Sequence, residues 1–509
     1  MKTAVISVYN KEGIVDFAKQ LSKLGYRILS TGGTSSLLKK NNIDVTEISE
    51  FTGQEEILDG RVKSLHPKIF GGILADKSNK DHLQQIKKHS MESISLVCVN
   101  LYPFLETMLE KSSLKEILEN IDIGGPSLIR AAAKNYSSVA VVTDHSDYNK
   151  VIDAIKSNKL DIKLKEYLAS KAFSHTAKYD VIINRFFFER FEKNTFPDVY
   201  NFTFEKVQDL RYGENPHQKA ALYKPYLINE TGITNSKQIH GKQLSYNNIL
   251  DGDEALSIIK DFEKPTAAVI KHTNPSGVAS AENIHEAFQK AHAADPKSAF
   301  GGIVALNKTC DKKTAELLKP LFLEIVICPK FEKDALEILQ NKKNLRLMET
   351  GKINVNYSQP EMRRVSSGLL VQTRQFPSIS EKDLKIVTKR KPTKEEINDL
   401  LFAWKINKHV KSNSVVFAKE EVTVGIGAGQ MSRVDAISLI SIKPESNTKD
   451  SVMSSDAFFP FRDGVDQAVK IGVTAIIQPG GSIRDQEVID AANEHGIAMV
   501  FSGIRLFKH

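Results

Sequence analysis

The side chains of this chain best suited to chemistry stand together in Lys271-His272-Thr273-Asn274-Pro275-Ser276-Gly277. An imidazole can move a proton near neutral pH, and an adjacent ammonium can supply a positive charge or a proton. A hydroxyl and an amide follow, and Pro-x-Gly turns the chain. The preceding run, Pro265-Thr266-Ala267-Ala268-Val269-Ile270, is short and apolar and reads as a buried strand. A buried strand ending in polar side chains fixes them at the crevice where open α/β sheets take ligands. A plain strand end with a capping turn has the same local pattern, so the rest of the chain decides the reading.

The first two hundred residues alternate short apolar runs with helical patterns. Ala4–Val8, Arg27–Leu29, Leu96–Val99 and Val139–Val142 read as strands; Glu12–Leu24, Thr34–Asn41 and Ser127–Asn135 read as helices. Such alternation predicts a parallel sheet with helices on both faces. Four connections carry groups suited to an anion. The first is Ser7-Val8-Tyr9-Asn10-Lys11. In the second, Ser30-Thr31-Gly32-Gly33-Thr34, glycines let backbone N–H groups approach a phosphate at a helix N-terminus. In the third, Arg61 and Lys63 alternate, so an extended loop projects them the same way, beside Ser64 and His66. The fourth, Asp122-Ile123-Gly124-Gly125-Pro126-Ser127, opens a helix with Pro near its start, on which Arg130 and Lys134 share a face. Asn100-Leu101-Tyr102-Pro103-Phe104 follows the strand Leu96–Val99 directly.

The totals suit an enzyme or a regulator, and the charge suits anionic small molecules as well as nucleic acid. At 509 residues the chain calls for more than one domain, because single cores rarely grow past roughly 250–300 residues. Apolar residues make up 41% and charged residues 26%, as in ordinary globular proteins. The 70 Lys and Arg exceed the 62 Asp and Glu to give +8, a mild basicity suited to anionic ligands. No Lys/Arg run with interleaved aromatics marks a nucleic-acid face. Three cysteines, Cys98, Cys310 and Cys328, argue for a reducing compartment and against a disulfide framework. No C-x-x-C or H-x-E motif offers a zinc site of the deaminase type. No signal-peptide pattern and no 18-residue apolar stretch occur, so a cytoplasmic location is expected.

Arg61-Val62-Lys63-Ser64-Leu65-His66-Pro67, Asn100-Leu101-Tyr102-Pro103-Phe104, Asp122-Ile123-Gly124-Gly125-Pro126 and Arg130-Ala131-Ala132-Ala133-Lys134-Asn135 closely resemble one known family. It joins phosphoribosylaminoimidazolecarboxamide (AICAR) formyltransferase to inosine monophosphate (IMP) cyclohydrolase. The resemblance implies a first domain, residues 1–198, with a methylglyoxal-synthase-like doubly wound parallel sheet. It implies that Lys63, Tyr102, Asp122 and Lys134 line the cyclisation site. Ser7, Lys11, Ser30, Gly32, Gly33, Thr34, Arg61, Ser64, Gly124 and Gly125 would hold the nucleotide, chiefly its phosphate. One departure is Tyr9, where the family often has a second hydroxyl.

Helical text from Leu164 to Glu192 is broken by Phe196-Pro197-Asp198, which sets the expected boundary. The resemblance continues through Arg211-Tyr212-Gly213-Glu214-Asn215-Pro216-His217-Gln218, the Lys271-His272 stretch, Asp295–Gly302, Ser412-Asn413-Ser414, Gly425–Arg433, Ser455–Asp463 and Arg505–His509. It implies a cytidine-deaminase-like α/β transformylase region without zinc over residues 199–509. The same resemblance names Lys271, His272 and Asn413 as catalytic, and Arg211, Tyr212, Phe300, Gly301, Arg433, Phe458, Asp463 and Arg505 as substrate-binding. Gly425–Gly429 lacks the G-x-x-G continuation and acidic partner of a dinucleotide loop, which excludes that reading. Phe458, Phe459 and Phe461 suit a core or, by the resemblance, a flat wall for a pterin.

The implied reactions are formyl transfer from 10-formyltetrahydrofolate to AICAR, then dehydrative ring closure. The aromatic amine is a poor nucleophile and needs a base, for which His272 is suited. Lys271 would stabilise the oxyanion with an amide such as that of Asn413, or protonate the leaving folate nitrogen; the residues leave both roles open. No metal is required, the partners are small-molecule nucleotide and folate, and the family implies a homodimer. The rivals are a metabolite-sensing module, which needs phosphate loops but not the Asp122/Lys134 pair, and an RNA-binding protein.

Overall fold

The apolar runs near the N-terminus form strands because they alternate with amphipathic helices that cover them. The computed structural model describes residues 2–58, 60–110, 112–191, 195–226, 230–355, 360–374, 377–442 and 447–509. The chain is folded as two units, Met1–Thr203 and Phe204–His509.

In the first unit the strands are β1 (Lys2–Ser7), β2 (Tyr26–Ser30), β3 (Thr46–Glu47), β4 (Ile94–Val99) and β5 (Ala140–Val142). They form one sheet in the order β3-β2-β1-β4-β5, with every pairing parallel. The expected parallel sheet is therefore present. β3 was not anticipated, since two polar residues carry no strand pattern. The order reverses between β1 and β4, and the carboxyl ends of two such strands flank the crevice where open sheets bind ligands. The helices that matter to the site are α1 (Ile14–Lys23), α2 (Gly32–Lys40), α3 (Pro67–Leu74), α4 (Phe104–Leu109), α5 (Gly124–Lys134) and the long α6 (Ile162–Phe191). Among them α1 touches α2, and α5 touches α3 and α6.

In the second unit a twelve-stranded sheet dominates. Its strands are β6 (Lys237–His240), β7 (Thr266–Lys271), β8 (Asn274–Ser280), β9 (Gly302–Leu306), β10 (Leu323–Cys328), β11 (Arg346–Glu349), β12 (Lys385–Ile386), β13 (Val415–Lys419), β14 (Val422–Gly427), β15 (Ser451–Ser455), β16 (Val473–Gln478) and β17 (Ala498–Phe501). Across the sheet they run β12-β17-β16-β15-β13-β14-β8-β7-β9-β10-β11-β6. The order reads alike from both ends. Helix α7 (Tyr246–Ile259), hairpin β7–β8, helix α8 (Ile284–Ala294) and strands β9 to β11 make one half. Helix α9 (Lys394–Asn407), hairpin β13–β14, helix α10 (Arg433–Ser441) and strands β15 to β17 repeat that plan. The halves join where β8 lies antiparallel to β14, Ala279 against Val422.

Strand alternation divides the core. In β7, Ala268 and Ile270 face a shared core with Leu256 of α7 and Trp404 of α9. Ala267 and Val269 face the opposite side with Phe288 of α8, and the other half buries Phe417, Ile437 and Phe459 in the same manner. This alternation of successive side chains is what a strand buried on both faces requires. β7 is the buried strand that the apolar run Pro265–Ile270 predicts.

Candidate active sites

The first candidate site is built at the switch point between β1 and β4. Asn100 follows β4, and its Oδ1 accepts the backbone N–H groups of Tyr9 and Asn10 at 2.5 and 3.0 Å. Its Nδ2 donates to the Asn10 carbonyl at 3.1 Å, so one side chain ties the loops after both strands. Ser7 closes β1. Lys11 is drawn inward: its Nζ donates to the Val8 carbonyl and, at 2.9 Å, to Thr34 Oγ1. Burial holds its pKa below the usual lysine value. An ammonium has three hydrogens, so one remains for a ligand beside the first turn of α2. That turn is Gly32-Gly33-Thr34, where free backbone N–H groups favour an anion. Gly32 has φ 54°, and a Cβ there would stand 3.7 Å from Lys63 Nζ, which places the Lys63 ammonium over the same helix start.

Lys63 pairs with Glu56 at 3.2 Å, and Glu56 also accepts from Thr31 Oγ1 at 2.7 Å. Arg61 is likewise engaged, with its guanidinium on Glu119. The Ser30 hydroxyl is fully buried and donates to the Ile6 carbonyl at 2.6 Å, so that side chain braces β1 against β2. Ser64 is buried against the start of α5, where a Cβ on Gly124 would come within 3.0 Å of its Oγ.

The Asp122 carboxylate accepts the Gly125 N–H at 2.8 Å and the backbone N–H of Tyr102. Burial nevertheless pushes its pKa above the usual aspartate value, outweighing those two bonds. From α6, the Tyr179 hydroxyl accepts the Asp122 N–H at 2.9 Å and donates to the Asn120 carbonyl at 2.8 Å. The Tyr102 ring is part-exposed and meets the Tyr9 ring edge-on, with centroids 6.2 Å apart. Lys63, Ser64, Tyr102, Asp122, Gly124 and Gly125 are thus linked through direct contacts or shared loops. Lys134 stands apart. It is the exposed last residue of α5, about 15 Å along the helix from Gly124 by the rise of 1.5 Å per residue.

The second candidate site lies at the end of β7. Lys271 Nζ donates to the carbonyls of Phe300 and Gly301 at 2.9 and 3.2 Å, which fixes its aim and leaves its third hydrogen outward. Gly301 has φ 68°, and a Cβ there would come within 3.1 Å of that ammonium, so the position suits only glycine. Phe300 is exposed and packs on Phe322 with ring centroids 5.0 Å apart. His272 is exposed in a two-residue turn between β7 and β8, and α7 supports that turn through Asp251, whose Oδ1 accepts the Thr273 N–H at 2.7 Å.

Asn413, Arg433 and Phe458 form a neighbouring group. β8 runs antiparallel to β14, and β14 to β13 with Gly427 paired to Val415, so the starts of β8 and β13 lie at one end of the sheet. The His272 turn and the Asn413 loop are therefore at the same end of the sheet, about 10 Å apart by two strand spacings from β8 to β13. Arg433 turns inward: Nη2 donates to Asp456 Oδ1 at 2.8 Å and Asn413 Oδ1 at 3.0 Å, and Nη1 to the Phe458 carbonyl at 3.1 Å. Both hydrogens of the Asn413 amide are on the carbonyls of Gln430 and Met431, at 2.9 and 3.1 Å. In this arrangement Arg433 acts as the brace that orients Asn413. Phe459 belongs to the core, Phe458 is half-buried, and Phe461 lies outside under Arg484.

The C-terminal tail is pinned beside this group. Leu506 N–H donates to the Asp456 carbonyl at 2.8 Å, and Lys508 N–H to Ser412 Oγ at 3.1 Å, which brings exposed Arg505 to the same end. Lys508 Nζ meets Glu254 of α7 at 2.5 Å. One helix therefore mounts both parts: Asp251 holds the turn and Glu254, three residues on, holds the tail. Asp463 is exposed at the start of the helix Asp463–Lys470. Arg211 and Tyr212 sit in the loop joining strands Phe204–Leu210 and Ala220–Pro225; the guanidinium lies 4.8 Å from the ring centroid. That loop touches α7 where Asn247 Nδ2 donates to the Glu214 carbonyl at 3.3 Å.

Asn100, Glu56, Asp251 and Asp456 were not anticipated as site residues. Asn100 had a signal, directly after a strand inside a quoted motif; Asp251 had none, being 21 positions upstream of His272 on a separate helix. Asp456 is fully buried opposite Arg433. Asp456→Ala would leave a buried guanidinium unpaired, a change that destabilises by about 3–5 kcal/mol. The expected result is a lower melting temperature for the second unit with an unchanged transition for the first, read by calorimetry; an unchanged second transition would show the pair to be dispensable.

A family model for the AICARFT/IMPCHase bienzyme matches residues 132–443, and one for the MGS-like domain matches residues 13–127. The bifunctional purine biosynthesis protein PurH of Thermoanaerobacter sp. (strain X514) is 52% identical over 511 residues, covering 100% of both chains. PurH of Acetivibrio thermocellus is 51% identical over 513 residues and that of Persephonella marina 50% over 515, again covering 100% of each chain. Full-length agreement at this level leaves one family: the chain belongs to the AICARFT/IMPCHase bienzymes.

Proposed function

We propose that the chain performs the last two steps of de novo purine biosynthesis at two separate sites. The second unit, Phe204–His509, transfers a formyl group from 10-formyltetrahydrofolate to AICAR. The first, Met1–Thr203, closes the formylated product (FAICAR) to IMP with loss of water. The observation that carries this reading is the Lys271–His272 pair, held at the end of a buried strand with one lysine hydrogen left outward.

In formyl transfer the AICAR amine attacks the formyl carbon while His272 takes its proton. The oxyanion of the tetrahedral intermediate meets the Lys271 ammonium. Collapse breaks the carbon–N10 bond, and the folate nitrogen recovers a proton from His272 or Lys271. Asn413 is oriented by Arg433 toward this end of the sheet. Arg211, Tyr212 and Arg505 supply charge and ring surface for the nucleotide, and Phe300 and Phe458 offer apolar faces to the pterin.

In ring closure both reacting groups belong to one molecule, so holding them in near-attack geometry supplies much of the rate. Lys11 and the first turn of α2 hold the phosphate. Asp122 accepts the carboxamide proton and returns it to the former formyl oxygen, which Lys63 and Tyr102 stabilise; loss of the formamide N–H proton then expels that oxygen as water. For Lys134 and Arg61 the family resemblance is the support. The same resemblance supports a cytoplasmic homodimer.

The test is incubation of the full chain with AICAR and 10-formyltetrahydrofolate, following IMP by chromatography. Product formation dependent on both substrates is expected; a folded protein that yields no IMP would overturn the assignment.

A further inference from the structure

We propose that Asp251 is a positioning residue for formyl transfer: its carboxylate holds the left-handed His272–Thr273 turn and thereby aims the His272 imidazole beside the Lys271 ammonium. The inference rests on the reading of those two residues as the transfer groups, and extends it to a side chain with no sequence motif.

His272 and Thr273 have φ of 52° and 60°, a conformation disfavoured for residues other than glycine and especially for a β-branched threonine. Two-residue hairpins of this kind ordinarily use Asn-Gly. The His-Thr turn therefore needs support from outside. Asp251 provides it: its carboxylate accepts the Thr273 N–H at 2.7 Å and the backbone N–H of His272.

The other half of the sheet holds an internal control. Glu420 and Glu421 form the matching turn between β13 and β14, with φ of 55° and 54°. Asp399 accepts their N–H groups at 2.9 and 2.7 Å. Asp251 and Asp399 are each the sixth residue of their helices, α7 and α9. One device thus serves both halves, with different surroundings. At Asp251 the neighbouring side chains are the His272 imidazole and the Lys271 ammonium; at Asp399 they are the carboxylates of Glu420 and Glu421. Burial raises the pKa of both carboxyls, and only at Asp251 do neighbouring basic side chains oppose that rise. A proton taken up by His272 would create positive charge beside a fixed carboxylate, whereas Asp399 holds a turn with no imidazole. Asp399 is what a purely structural aspartate looks like here, and Asp251 adds aim to that role.

The experiment compares full-length Asp251→Ala, Asp251→Asn, Asp399→Ala and His272→Ala. Melting temperature, kcat and KM for AICAR in formyl transfer, and turnover of supplied FAICAR are measured for each. Asp251→Ala and Asp399→Ala should lower the melting temperature alike. Asp251→Ala should also lower transfer kcat by about a hundredfold, the scale of an ångström-level misplacement, with KM for AICAR little changed. Asp399→Ala should keep wild-type kcat, and Asp251→Asn, which retains one acceptor oxygen, should recover part of the loss. FAICAR turnover should persist throughout. Wild-type kcat in Asp251→Ala, or equal kcat losses in the two alanine variants, would overturn the proposal. If Asp251→Ala does not fold, wild-type kcat in Asp251→Asn does the same. Full transfer by His272→Ala would instead sink the underlying reading, an outcome distinct from an inactive His272→Ala beside an active Asp251→Ala.

Discussion

His272→Ala is expected to lower formyl transfer by about 10²–10⁴-fold, the range for loss of a positioned general base, while supplied FAICAR is still converted to IMP. The side chain is exposed, so its removal leaves no cavity. The backbone of the turn is held by Asp251 through N–H groups that alanine keeps. Folding is therefore spared, and the retained cyclisation serves as the control within the same sample. Lys271 keeps its bonds to the Phe300 and Gly301 carbonyls, so the oxyanion contact survives the change. That remaining contact accounts for a residual rate above the uncatalysed one. If His272→Ala slowed FAICAR closure as strongly as transfer, the two reactions would share a site and the division between units would be wrong.

Much of the first sheet was legible because parallel strands buried on both faces announce themselves as short apolar runs between helical periods. β1, β2, β4 and β5 were each found within two residues of their ends, whereas β3, with Thr46 and Glu47, gave no signal. The duplication in the second unit was invisible for a different reason. Its halves repeat spacing and topology, while the residues at matched points differ: Lys271-His272-Thr273 in one turn, Lys419-Glu420-Glu421 in the other. Backbone shape is preserved there by an aspartate reaching from a helix, and a contact across 21 positions leaves no local pattern. The side chains of Arg433 and Ser30 teach a related lesson. Their types suit ligand binding, yet the structure puts the guanidinium on Asp456 and the hydroxyl on the Ile6 carbonyl. Residue type reports what a group can do; its partners decide whether it is available.

Asp122→Asn is expected to slow FAICAR closure by about a hundredfold or more, through loss of the proton acceptor, without lowering the stability of the first unit. The two effects have one physical source. Burial raises the Asp122 pKa, so relative to the unfolded chain the folded state favours the neutral acid. A carboxyl with a raised folded pKa lends its full stabilisation below the unfolded pKa and loses it as pH climbs through the folded one. Above its folded pKa the ionised Asp122 is therefore a strain on the fold, and an uncharged amide of similar size relieves it. Asparagine keeps one oxygen to accept the Gly125 or Tyr102 N–H, so the loop at the start of α5 retains a tie. The same raised pKa makes the aspartate a stronger base than an exposed carboxylate, which suits it to take a proton from a carboxamide nitrogen. Formyl transfer should continue in this variant, and FAICAR should accumulate. Thermal melts at neutral pH, beside single-turnover assays with FAICAR, decide the matter. A marked drop in melting temperature would mean that the bonds to Gly125 and Tyr102 outweigh desolvation, and undiminished closure would remove Asp122 from the chemistry.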